Sequence, residues 1–175
     1  LRNRVPAVPG GFAPAQDKEY LVGFAQLADG ATLDRTEDVM RRMTEITLAE
    51  PGVANAVAFP GLSIAGFSNS SSAGIVFSVL KPFEERKDPS LSAGAIAMSL
   101  NRKYAAIQDA FIAMFPPPPV QGLGVVGGFK MQIEDRAGRG FEELARVSNA
   151  FMAKAMQAPE LVGQFSTFQL NVPQL

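Results

Sequence analysis

The sequence predicts an α+β fold built from ferredoxin-like strand–helix–strand repeats. Stretches rich in strand formers alternate with stretches whose apolar residues recur at helical spacing. Asp-Gly, Pro-Gly and Pro-rich punctuation falls between them. Two such units packed side by side make a four-stranded sheet with two helices on one face, and a third unit follows without a partner. The expected division is one complete subdomain over residues 12–126 and the first half of another over residues 127–175.

Each element has a local reason. Tyr20 to Leu27 is rich in strand formers, and Asp29-Gly30 marks the turn after it. Thr32 stands where a helix cap is wanted, with Asp34, Glu37 and Asp38 in the first turns, where negative charge suits the helix dipole. Val39, Met43 and Ile46 give that helix one buried stripe, and Pro51-Gly52 ends it. Val53 to Phe59 reads as the second strand. A long loop is expected from Pro60 to Gly74, then a strand from Ile75 to Leu80 and a charged connector from Lys81 to Pro89. Ser92 caps a long helix with the stripe Ile96, Leu100, Tyr104, Ile107 and Phe111, which the prolines at 116–119 break. Val120 to Val126 reads as an extended edge segment. The third unit comprises a strand from Phe129 to Ile133, a helix from about Phe141 to Met156, and a last strand from Phe165 to Val172. Its helix carries Phe141, Leu144, Ala145, Ser148, Phe151, Met152 and Ala155 on one face.

Composition narrows the chemistry. The chain has 175 residues, 47% of them hydrophobic, and a net charge of -1. That balance disfavours a nucleic-acid partner, which calls for a basic face. There is no Cys and no His, which excludes thiol nucleophiles, disulfides, imidazole bases and the usual zinc sites. No cofactor, metal site or enzymatic activity is expected. No apolar run approaches the roughly 18 residues needed to span a bilayer, and Leu1 to Gly10 lacks the apolar core of a signal peptide. Because the chain begins at Leu1, it reads as a processed product or an excised fragment.

Several motifs admit a bland reading. Gly122, Gly124 and Gly127 spell G-x-G-x-x-G, but a strand-like alternation follows where a dinucleotide site needs a helix. The acidic pairs Glu84-Glu85 and Glu134-Asp135 flank turns rich in Arg or Lys and read as solvated faces. Arg136, Gly138, Arg139 and Gly140 read as a plain turn, with an anion-binding turn as the alternative. Phenylalanine is abundant, 13 copies against two Tyr, and Phe59, Phe77, Phe115 and Phe129 fall at strand ends or beside the loop. They serve either as core or as a pocket wall that holds apolar ligands by area and ring contacts. The loop is open to two readings as well: a structural hairpin with apolar residues tucked inward, or a mobile gate given freedom by its Gly and Ser.

Order and spacing of short motifs carry a resemblance. Val8 to Phe12 (VPGGF), Phe59 to Phe67 (FPGLSIAGF), Leu80 to Arg86 (LKPFEER), Phe115 to Pro119, Gly122 to Gly124 and Gly127 to Phe129 (GGF) resemble the second periplasmic half of resistance–nodulation–division (RND) efflux pumps of the hydrophobe/amphiphile exporter family. The resemblance implies two porter subdomains, PC1 and the first part of PC2. It implies a periplasmic portion of a Gram-negative inner-membrane protein that works as a homotrimer with an adaptor and an outer-membrane channel. By motif match, Val57, Phe59, Leu62, Ile64, Phe67, Phe77, Phe115 and Val125 would line the site for hydrophobic or amphiphilic drugs. Gly61, Gly66, Ser68, Asn69 and Gly74 would belong to its switch loop. The alternative is a free-standing ferredoxin-like sensor domain for small molecules.

Overall fold

A computed structural model of the chain describes residues 16–64, 67–118 and 131–159, together with Leu161, Ser166, Phe168 and Leu170. Strand β1 (Tyr20–Leu27) is followed by helix α1 (Leu33–Leu48), strands β2 (Val53–Ser63) and β3 (Ser68–Leu80), helix α2 (Ala93–Tyr104) and strand β4 (Ala110–Phe115). A separate helix, α3 (Phe141–Ala155), lies further along. The sheet order is β2-β3-β1-β4, with every neighbouring pair antiparallel. β1 and β2 therefore run parallel with β3 between them, and β3 and β4 run parallel with β1 between them. This interleaving of two split strand–helix–strand units is the ferredoxin-like arrangement the sequence predicts.

Both helices cover one face of the sheet. Leu21, Ala25 and Leu27 of β1, Val76 and Leu80 of β3 and Met114 of β4 meet Val39, Met40 and Met43 of α1 and Ile96, Ala97, Leu100 and Tyr104 of α2 in one buried cluster. Helix α1 comes close to the sheet because Gly23 and Gly74 lie beneath it. A Cβ on Gly74 would run into the thioether of Met40, and one on Gly23 would meet the methyl of Met43 at 2.6 Å. The two helices are tied by a 2.6 Å bond between the Thr47 and Tyr104 hydroxyls. Burial pushes the Tyr104 phenol up to about 12, against the pull of its Thr47 bond. Glu50, which adds to the rise, is paired with Lys103 at 2.6 Å.

The way into β1 is clamped. Arg86, whose side chain is 1% exposed, donates to both carboxylate oxygens of Asp17 and to the carbonyls of Lys81 and Leu91. Asp17 also accepts from the backbone N–H groups of Glu19 and Ala93, the latter at the start of α2. Burial pushes the Asp17 carboxyl up, but the guanidinium bond and these two N–H bonds outweigh it and hold the group below the ordinary carboxylate range. Lys18 Nζ donates to the carbonyl of Pro118 at 2.9 Å, so the segments entering and leaving the sheet lie side by side.

Three expectations need correction. Helix α2 stops at Tyr104, and Phe111 belongs to β4. The stripe stays buried through Ile107, then the chain turns and Ala110–Phe115 pairs with the free edge of β1. Pairing along β1 overrides the helical spacing, and the prolines follow a strand rather than breaking a helix. Thr32 occupies the cap position of α1, yet its side chain makes no capping bond, whereas Ser92 accepts from Ala95 N as expected. In the third unit the helix forms as read, but Phe141 is 73% exposed and Met131 to Ile133 adopt no strand. Val120 to Val126 and Phe129-Lys130 lie outside the described residues. So does Phe165–Val172 apart from Ser166, Phe168 and Leu170, none of which is in a strand.

Candidate functional site

The sheet face away from α1 and α2 is apolar too. Alternation along each strand sends Val22 and Phe24 of β1, Val57 and Phe59 of β2, Ile75 and Phe77 of β3, and Phe111, Ala113 and Phe115 of β4 to this side. Phe24, Ile64 and Ile75 form its buried centre, flanked by half-buried Val22, Leu62, Phe77, Ala113 and Phe115. Phe24 sits between Phe111 and Phe115, with ring centroids 5.7 and 5.9 Å away. Phe59 meets Phe77 edge-on at 5.9 Å. Val57 and Phe59 remain 50% and 43% exposed, and Phe111 57%. Such exposure of large apolar side chains on one face marks a surface for a partner or ligand. The cleft beside Phe24, Ile64 and Phe111 holds only about 30 Å³, far below the ~300–1,000 Å³ of small-molecule sites. The face is one wall, not a closed pocket.

Of the motif-matched wall residues, Val57, Phe59, Leu62, Ile64, Phe77 and Phe115 therefore share this face. Val125 lies outside the described residues. Phe24 and Phe111 belong to the same face and were not among the expected set. The alternation of β1 carried the signal: a strand apolar in both phases, as in Leu21-Val22 and Phe24-Ala25, is one covered on both sides.

The expected loop from Pro60 to Gly74 is mostly strand. β2 runs on to Ser63 and β3 begins at Ser68, with Leu62 opposite Asn69, Ser63 opposite Ser68 and Pro60 opposite Gly74. The serines are fixed by bonds. Ser72 accepts at its carbonyl and hydroxyl oxygens from Gln26 Nε2, Ser71 Oγ donates to Ala31 O, and Thr36 Oγ1 donates to Ser71 O. Gly74, expected in the switch loop, is strand backbone of β3 packed under Met40. Gly61 does need its glycine, at φ 82° beside the irregularity between Pro60 and Leu62. Between the two strands Ile64 and Phe67 are described, and Ala65 and Gly66 lie outside the described residues. Ile64 is buried against the wall, and Phe67 is 62% exposed with its backbone at φ 55°. A bulky side chain rarely holds that conformation, which costs about 1–3 kcal/mol.

Among the described residues no three acidic groups gather as a metal site. Glu134 pairs with Arg136 at the surface, and Asp135 accepts from Ala137 N and Gly140 N, so a protein carboxylate fills the turn read as a possible anion site. The G-x-G-x-x-G string lies outside the described residues.

The family model described as the AcrB/AcrD/AcrF family matches residues 4–175. The chain belongs to this family of RND multidrug efflux pumps. It is 33% identical over 153 residues to the multidrug/solvent efflux pump membrane transporter MepB of Pseudomonas putida, covering 86% of this chain and 14% of that protein. It is 31% identical over 154 residues to the multidrug export protein AcrF of Escherichia coli K12, covering 87% and 15%. The multidrug resistance protein MdtF of the same organism is 30% identical over 156 residues, covering 88% and 15%. The chain thus spans about one-seventh of the length of these relatives. Among its described residues no helix is long and apolar enough to cross a membrane.

Proposed function

We propose that this chain is the periplasmic drug-binding and gating segment of a proton-driven RND pump of the inner membrane. Residues 12–126 would form its PC1 subdomain and residues 127–175 the first half of PC2. The observation that carries the reading is the shared apolar face of Val57, Phe59, Leu62, Ile64, Phe77 and Phe115, widened by Phe24 and Phe111. Rings and branched side chains on an open sheet hold varied hydrophobic or amphiphilic drugs by area rather than by directional bonds. A single wall does not enclose a ligand, so the rest of the pump chain supplies the opposite side. In this reading the β2–β3 segment from Pro60 to Gly74 is the gate, with Phe67 exposed on it. The homotrimer, the periplasmic adaptor and the outer-membrane channel belong to the same reading. Family membership favours it over a free-standing sensor domain.

The test uses the full-length pump. Removing one ring from the wall, by Phe59→Ala or Phe77→Ala, takes away about 1–2 kcal/mol of apolar contact, roughly 5- to 30-fold in affinity. Resistance to bulky apolar compounds then falls while resistance to small ones changes less. Unchanged resistance across a drug panel, at equal protein level in the membrane, refutes the assignment.

A further inference from the structure

The two outer edges of the sheet are treated in opposite ways. The β4 edge is capped at Met114. The Asn101 side-chain amide donates to the carbonyl of Met114 and accepts from its N–H, both at 2.8 Å, which takes the place of a neighbouring strand. Prolines follow at once. Native sheets blunt edges with charges, prolines and bulges because unpaired N–H and C=O groups recruit another strand.

The β2 edge has such protection only toward its ends, in Pro60 and the irregularities that flank the Asn55–Pro60 stretch. Its eleven residues, VANAVAFPGLS, include no Asp, Glu, Lys or Arg. Its register with β3 is unbroken from Asn55 to Pro60, between one irregularity at each end. Among the described residues no strand lies beyond it. Ala54, Asn55, Val57 and Phe59 are exposed, and Ala56 and Ala58 are half-buried.

We propose that the Asn55–Phe59 edge accepts a neutral β-strand from a part of the same pump polypeptide outside this chain. The incoming strand would place apolar side chains beside Val57 and Phe59 and so extend the open face by one strand. About six-sevenths of the relatives' length lies outside the matched stretch, so the material exists. A second copy of the chain is a poorer occupant. A stable dimer buries about 1,200 Å² or more, beyond the reach of a five-residue edge, whereas a strand on the same polypeptide binds at high effective concentration. The proposal rests on family membership and not on the drug-wall reading. Efflux tests one and backbone protection the other, so their failures are distinguishable.

The experiment is residue-resolved hydrogen exchange on the full-length pump. Every amide from Asn55 to Phe59 is expected to be protected more than about 100-fold over the free peptide. If every second amide exchanges within about 10-fold of the free peptide, the edge is unpaired and the proposal fails. The chain contains no cysteine, so Asn55→Cys offers a single handle in a pump cleared of other cysteines. A short bismaleimide, with a second cysteine scanned through extended segments elsewhere in the polypeptide, should capture one segment within the same subunit. Asn55→Cys crosslinking only to its own copy in another subunit overturns the choice of occupant.

Discussion

Replacing Asp17 by Asn tests whether the clamp at the entry to β1 holds the sheet together. Arg86 is 1% exposed at its side chain and Asp17 25%. The substitution keeps the shape but leaves a buried guanidinium without its counter-charge. Breaking a fully buried pair costs about 3–5 kcal/mol. The partial exposure of Asp17 and the carbonyl that Asn retains bring the expected loss to about 2–3 kcal/mol. For a chain of this size that lowers Tm by about 5–10 °C. With no Trp and two Tyr, unfolding is best followed by far-UV circular dichroism. The pH dependence supplies a second check. The folded Asp17 carboxyl titrates below its ordinary range, so the stability it contributes is present above about pH 4 and is lost as pH falls through the lowered folded value. Asp17→Asn should remove that part of the acid sensitivity. A loss below about 0.5 kcal/mol, or one abolished by salt, would mean that the pair is solvent-screened and contributes as little as a surface bridge.

Gly74→Ala should cost about 1–3 kcal/mol, because the new methyl meets Met40 in its middle as well as at its end; an unchanged denaturation midpoint counts against close packing of α1 there. Ser78 Oγ is buried without a hydrogen-bond partner among the described residues. Ser78→Ala should be neutral or stabilising by up to about 1 kcal/mol, and a loss in thermal melting would reveal a hidden partner. Asn101→Ala removes both bonds to Met114. It should lower stability by about 1–2 kcal/mol and open the β4 edge, detectable as faster exchange at the Met114 amide.

Much of the fold was legible in the sequence, for local reasons. The α1 stripe of Val39 and Met43 and its Pro51-Gly52 stop, the Ser92 cap and the β1 segment all agree with their surroundings. The failures occur where tertiary pairing outvotes local preference. Ala105 to Phe111 continues a helical stripe, but β1 offers an unpaired edge and the chain turns to meet it. Ser68 to Ser72 has loop composition, yet Gln26, Thr36 and Ala31 supply partners that hold it as strand. Motif order named six residues that share the open face, but it cannot rank their neighbours. Phe24 enters the wall through its position opposite Ile75, and Phe111 through its place on β4, which local spacing had assigned to a helix.

The Lys18–Pro118 bond makes the ferredoxin-like unit a cassette with a single doorway. The backbone that leads into the sheet and the backbone that leads out are joined at one corner, and Asp17 fixes that corner to the start of α2. Units whose ends lie together tolerate insertion and transplantation. Exchanging residues 16–118 between two relatives thus places both junctions at one corner.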